Sequence, residues 1–133
     1  MSRENVELVR RAYEEGWMDG DPTPLLALAH DQIRWINPAD AVEPGVRQGR
    51  EEFVNVLAGL RAAFDSSVHE LREVYDAGDA VVAAVRFRAS GRSSSAEAVH
   101  EEFHTWTFAE GKIVSFEWGR DLGQALRAVG LAE

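Results

Sequence analysis

His104 is the residue in this chain best suited to moving a proton. It sits in Val99-His-Glu-Glu-Phe-His-Thr-Trp-Thr-Phe108, a strand-forming run rich in aromatic rings. Desolvation among such rings lowers an imidazole's pKa and keeps it neutral, the state that a general base needs. The plainer reading is a core imidazole hydrogen-bonded across a sheet. Glu102, two residues away on the same strand face, either orients that imidazole or faces solvent at the end of the sheet. Tyr13 can donate to a ligand oxygen, or only pack as a half-buried helix residue. Asn37 offers both a donor and an acceptor to an oxygenated ligand, or holds the turn at Pro38. Trp17, Trp35, Trp106, Phe116 and Trp118 either line a cavity or fill one. The four histidines, at 30, 69, 100 and 104, have no tight ligand spacing; His100 and His104 share a strand face but lie about 13 Å apart. No metal and no cofactor is expected, and no phosphate loop, dinucleotide fingerprint or nucleophile elbow appears.

The element that must position His104 is a hairpin over Val99 to Trp118. Gly111 suits the left-handed position of a three-residue loop, Ala109-Glu110-Gly111, closed by a bulge. That register sets Trp106 opposite Val114, His104 opposite Phe116 and Glu102 opposite Trp118. One face then carries Trp106, Phe108, Val114, Phe116 and Trp118, with His104 and Glu102 at its end. Thr105, Thr107, Ser115 and Glu117 take the other face. A two-residue loop would flip one strand and mix polar with apolar neighbours.

The remaining elements read as follows. Ser2 opens a first helix through Val6, Val9, Tyr13 and Trp17, stopped by Gly20-Asp21-Pro22. Asp21 as cap and Pro22 start a short second helix through Leu25, Leu26 and Leu28. Gln32 to Asn37 is a strand with Ile33, Trp35 and Asn37 on one face, ended by Pro38. Residues 39–49 read as loop, turning at Pro44-Gly45. A third helix runs from Arg50 to Phe64 on Phe53, Val56, Leu57, Leu60 and Phe64, and Ser66-Ser67 breaks it. Val68 to Tyr75 is a strand. After Ala77-Gly78-Asp79, a second strand from Ala80 is apolar on both faces, which requires a helix over one side and further cover, such as a second subunit, over the other. Gly91 to Ala96 is a flexible loop. Asp121 and Gln124 cap a last helix through Leu122, Ala125, Leu126 and Val129, stopped by Gly130. Helices first and an antiparallel meander after indicate α+β.

The totals exclude several function classes. At 133 residues one domain, 1–133, is expected. A net charge of −9, from 14 Lys+Arg against 23 Asp+Glu, opposes phosphate backbones and anionic lipid, so neither nucleic acid nor membrane is an expected partner. No cysteine is present, which removes disulfides and thiolate chemistry and fits a reducing cytoplasm. No segment approaches a transmembrane span and the N-terminus lacks a signal-like apolar run.

Taken jointly, Val9-Arg-Arg-Ala-Tyr13, Gly20-Asp21, Trp35-Ile36-Asn37-Pro38, Gly49-Arg50-Glu51, Asp76-Ala-Gly-Asp79, His104-Thr-Trp106, Gly111-Lys-Ile-Val114, Ala125-Leu126 and Gly130-Leu131 resemble the SnoaL-like branch of the nuclear transport factor 2-like superfamily over nearly the whole chain. The resemblance implies an α+β cone, with helices packed in a strongly bent, mainly antiparallel sheet around an apolar pocket, often as a homodimer. It also implies a range of activities: polyketide cyclases, ketosteroid isomerases, epoxide hydrolases, dehydratases and proteins that only bind. Compared with the steroid isomerases, Tyr13 falls on the oxyanion-donor Tyr. Their base position reads Asn37, an amide unable to take up a proton, and their buried acid aligns with His104. Limonene-type epoxide hydrolases share an aromatic-x-Asn pair like Trp35-Ile36-Asn37, but their Arg-x-Asp reads Arg86-Phe87-Arg88 here. SnoaL-branch cyclases place an acid/base carboxylate near the end of the last strand, and Asp121 is the nearest match, in competition with its capping role. The expectation is a cofactor-independent pocket protein for a small, apolar, oxygenated molecule, with cyclase, isomerase or hydratase chemistry as its catalytic form. A non-catalytic binding module or a homodimeric structural module is the alternative.

Overall fold

A computed structural model of the protein describes residues 2–18, 21–64, 66–91 and 97–131; Gly20 and the expected loop at 92–96 lie outside them. Val9, Ala12 and Tyr13 bury one side of α1 (Ser2–Glu14). The helix stops at Gly16, earlier than the Gly20 expected from the sequence. Gly16 adopts φ +68°, and its N–H and that of Trp17 bond the carbonyls of Tyr13 and Ala12. This Schellman-type ending turns Trp17 into the core from beyond the helix. Asp21 Oδ1 accepts from Thr23 N at 3.0 Å just ahead of α2 (Thr23–Leu26), whose capping position is Pro22, one residue after the expected Asp21.

β1 (Ala29–Asn37) begins three residues before the expected strand. Part of the segment read as loop is β2 (Gly45–Gln48), fully exposed and paired antiparallel with β1. Its residues alternate over no buried face, so periodicity could not reveal it. α3 (Arg50–Ala62) buries Phe53 and Leu57. Ser66-Ser67, expected to be a break, opens β3 (Ser66–Asp76). β4 (Ala80–Ser90), β5 (Glu97–Ala109), β6 (Lys112–Gly119) and α4 (Leu122–Ala128) complete the chain. Asp121 caps α4 as expected, accepting from Gln124 N at 2.9 Å.

The six strands form one curved, unclosed sheet in the order β2-β1-β6-β5-β4-β3. Among the described residues only the β1–β6 pairing is parallel. α1 packs against β3 and β4, α3 against β1 and β2, and α4 against β4 and β5. β4 is buried on both faces from Val81 to Val85, and α1 and α4 both pack on it.

The hairpin corrects the expected register. Its loop is two residues, Glu110 (φ +52°) and Gly111 (φ +78°), both left-handed as a type I′ turn demands. Trp106 pairs with Phe116 and His104 with Trp118. Thr107 pairs with Ser115 and Phe108 with Ile113, so Val114 is an extra residue in the strand. That bulge restores the parity that a two-residue loop would otherwise reverse. Phe116, Trp118, Trp106, Phe108, His104 and Glu102 therefore keep a common face. Ile113, wholly buried, takes the inward place assigned to Val114.

Candidate functional site

Alternation along β5 places His100, Glu102, His104, Trp106 and Phe108 on the inner face of the sheet. Register supplies their neighbours. His69 of β3, Phe87 of β4 and His100 of β5 form one cross-strand row, and Leu71, Val85 and Glu102 form the next. His104 and Trp118 follow, then Trp106, Phe116 and Trp35. Titratable groups thus give way to rings as the sheet runs inward.

At the inner end, Trp17, Trp35, Trp106, Phe53 and Phe116 are fully buried. Their rings meet mostly edge to face or tilted, with Trp17–Trp106 centroids 4.9 Å apart and Trp35–Phe116 4.6 Å apart. At the outer end lies a partly open cavity of about 720 Å³, within the range that holds drug-sized ligands. Its apolar walls include Met18, Trp35, Leu60, Phe64, Phe87 and Trp118. Its polar lining includes Asn37, His69, His100 and Glu102.

Glu102 links these two regions. Trp106 Nε1 donates to Tyr13 Oη at 3.2 Å. Tyr13 Oη lies 2.5 Å from His104 Nδ1, and His104 Nε2 lies 2.9 Å from Glu102 Oε1. A neutral imidazole protonated at Nε2 satisfies all three bonds: indole donates to hydroxyl, hydroxyl to Nδ1, and Nε2 to carboxylate. His104 is wholly buried, whereas the Glu102 side chain is 18% exposed and lines the cavity. Burial pushes the Glu102 carboxyl up, but the His104 hydrogen bond, joined by the positive fields of His104, His69 and His100 when their rings are protonated, holds it below its ordinary value. The group that the cavity meets is therefore an ionised carboxylate, backed by an imidazole.

Asn37 organises the opposite side. Its Oδ1 accepts from Trp35 Nε1 at 2.7 Å and from Trp118 Nε1 at 2.6 Å. Its Nδ2 donates to the Glu43 carbonyl at 2.8 Å. The acceptor that the sequence offered to a ligand is thus occupied by two indoles, leaving one amide hydrogen. Asn37 fixes both cavity-lining tryptophans and tethers the loop after Pro38.

Tyr13, His104, Asn37, Trp35, Trp106, Phe116 and Trp118 are all brought to the inner face, but only Asn37, Trp35 and Trp118 of these line the cavity. Trp106 and Phe116 pack behind it. Trp17 lines instead a smaller groove of about 440 Å³ beside α1 and α2. Asp121 is exposed at the start of α4, committed to its cap. Among the described residues, no cluster of three or more His, Asp or Glu is placed to hold a metal ion.

A family model for the SnoaL-like domain matches residues 9–116. The chain belongs to the SnoaL-like domain family. Solved structures agree on the fold of this SnoaL-like domain. A protein from Jannaschia sp. CCS1 described as a SnoaL-like polyketide cyclase superposes with TM-score 0.78 at 22% identity, covering 99% of this chain and 94% of that one. An NTF2-like protein of unknown function from Burkholderia pseudomallei K96243 gives 0.76 at 22% identity, covering 95% and 97%. TerC, co-crystallised with polyporic acid, gives 0.75 at 22% identity, covering 94% and 97%. Among curated proteins, none matches the chain.

Of the two places that the sequence offers Glu102, orienting His104 or facing solvent, the structure gives the first, through the bond to Nε2, and adds an opening onto the cavity that the sequence does not show. The signal for the shared face was present in the period-two spacing of His100, Glu102 and His104. The cross-strand contribution of His69 and Phe87, and that of Phe64, required the register and the packing of α3.

Proposed function

We propose that this SnoaL-like domain binds a small, largely apolar, oxygenated molecule in the 720 Å³ cavity and moves a proton on it without a cofactor, as a cyclase, isomerase or hydratase does. The observation that carries the proposal is the Glu102 carboxylate, held ionised by His104 on the wall of an aromatic cavity. An ionised carboxylate on this wall is in the form that accepts a proton from carbon next to a carbonyl, its lowered pKa keeping it ionised at neutral pH at some cost in basicity. In this reading Glu102 takes up the proton. His104, fixed by Tyr13, donates throughout to Glu102 Oε1 and steadies its charge. The remaining amide hydrogen of Asn37 is the donor available to a ligand oxygen on the same cavity. The family supports a pocket used for such chemistry, since one structural neighbour is described as a polyketide cyclase and another was crystallised with an organic acid.

A thermal-shift screen against aromatic polyketide-like, terpenoid and steroid-like ketones should find stabilising ligands. Each should then exchange its α-protons for deuterium in D2O in the presence of the protein. Glu102→Gln should cut that exchange about 10²–10⁴-fold while keeping the ligand. Absence of stabilisation by any compound removes the pocket reading. Binding without exchange, or exchange unchanged in the variant, leaves a binding module.

A further inference from the structure

Three arginines line the cavity, and two are already neutralised. Arg47 Nη2 pairs with Glu43 Oε2 at 2.6 Å. Arg120 Nη1 pairs with Asp40 Oδ2 at 3.0 Å and its guanidinium lies 5.0 Å from the Trp118 ring centroid. The lining acids are likewise occupied: Glu43 by Arg47, Glu101 by Arg86 at 3.3 Å, and Glu102 by His104. Arg61 differs. It projects from α3, half-buried in a wall shared with Met18, Val56, Leu60 and Phe64. Among the described residues no carboxylate lies within ion-pair distance of it. Its contacts are long ones, Nε to the Met18 carbonyl at 3.4 Å and Nη2 to the Trp17 carbonyl at 3.5 Å. Asp21 feels its field but is exposed and bonded to Thr23.

A chain with 23 acids and 14 Lys+Arg has carboxylates to spare for its cations. A half-buried guanidinium beside apolar side chains, with no carboxylate among the described residues in ion-pair distance and only two long backbone contacts, is a favourable place for a ligand's anion. We infer that the cavity takes an organic carboxylate with a ring-containing apolar body, its carboxylate on Arg61 and its rings against Trp35, Trp118, Phe64 and Phe87. The planar fork of a guanidinium matches a carboxylate in two parallel hydrogen bonds. Polarity also sets orientation. The cavity lies between α3 and the sheet, with Arg61 on the helix wall and ionised Glu102 on the sheet wall, so an anionic end is drawn to Arg61 and repelled by Glu102. The ligand's uncharged, oxygenated end is then presented to Glu102. This inference rests on the pocket reading above and deepens it by naming the charge that the ligand carries.

The test compares 2-naphthoate with its neutral isostere 2-naphthamide, at neutral pH, by tryptophan quenching and titration calorimetry on the full chain. Wild type should bind 2-naphthoate about tenfold more tightly or better, the size expected of one charge-assisted contact. Arg61→Gln should erase the preference while leaving 2-naphthamide affinity within about twofold. Arg61→Lys, which keeps the charge without the fork, should retain part of it. Should Arg61→Gln fail to fold, the wild-type ratio and the lysine variant still decide. Equal affinities in wild type, or a preference surviving in Arg61→Gln, overturns the anion assignment and leaves the pocket standing. Failure of both compounds to bind overturns the anion assignment when the thermal-shift screen has found other ligands, and the pocket reading with it when the screen has found none.

Discussion

The two ends of strand β5 face the same side of the sheet and do opposite things. Trp106 and Phe108 meet Phe116, Ile113 and Trp17 in a solid aromatic floor, closed to water. His100 and Glu102, a few residues back along the same face, border open space. The difference comes from what lies across from them. Over the floor, the turn after α1 delivers Trp17 and α3 delivers Phe53. Beyond that cover α3 contributes Val56 and Leu60, and the residue after its cap, Phe64, at a greater remove, and the gap is the cavity. His104 and Tyr13 stand at the boundary, buried like the floor and bonded to the mouth. The floor's role is stability, and the mouth keeps a charge available that a packed core could not tolerate.

The comparison breaks most readily at the floor. Trp106→Ala should lower unfolding free energy by about 3–5 kcal/mol, from lost burial and the cavity left behind, read by denaturant titration. A loss under about 1 kcal/mol would mean that the floor is not cooperative with the rest. Tyr13→Phe probes the boundary. It changes little volume but removes the hydroxyl shared by Trp106 Nε1 and His104 Nδ1, so a loss of about 1–3 kcal/mol is expected. It should also loosen the imidazole behind Glu102, visible as a shifted His104 ring signal in NMR.

The mouth should declare itself through pH. The Glu102 carboxyl lies below its ordinary value of 4.5 in the folded protein, so the folded state binds that proton less readily than the unfolded chain. Its contribution is therefore complete above the ordinary value and is lost as pH falls through the lowered one. Thermal midpoints measured from pH 7 down to pH 3 should fall more steeply for wild type than for Glu102→Gln, which has no proton to gain there. Parallel curves would show that the His104 bond does not hold the carboxylate ionised.

Most of this fold was legible because its helices are amphipathic and its strands alternate. The joint placement of Tyr13, Trp35-Ile36-Asn37 and His104-Thr-Trp106 was enough to indicate the α+β cone. What escaped was set by contacts distant in sequence. β2 has no buried face to write a period into its residues. The hairpin's two-residue loop looked excluded because its compensating bulge at Val114 leaves no mark in composition. At the site, His104 was chosen because a lone imidazole among rings stands out. Glu102 beside it offers two readings, orienting that imidazole or meeting water as charges at strand ends usually do. That choice inverted depth: the imidazole is sealed in and the carboxylate reaches the cavity. Arg61 gave no signal at all, since one cation on a helix is ordinary until its neighbours are shown to be apolar.

The smallest expected effect is at Asp121, where the family resemblance and the geometry part. The SnoaL-branch pattern offers it as an acid/base, yet its Oδ1 binds Gln124 N and it is exposed, at the start of an element packed against β4 and β5 and outside the cavity lining. Asp121→Ala should cost about 1 kcal/mol, the usual loss for an N-cap, and Asp121→Asn should recover most of it because an amide oxygen caps as well. Neither should alter the affinity of a cavity ligand or the rate of any proton exchange that Glu102→Gln abolishes. Asp121→Asn is the discriminating variant, since it preserves the cap while removing the titratable group. A stable Asp121→Asn protein that had lost exchange would return the chemistry to the end of the last strand and reduce the Glu102–His104 pair to a structural bond.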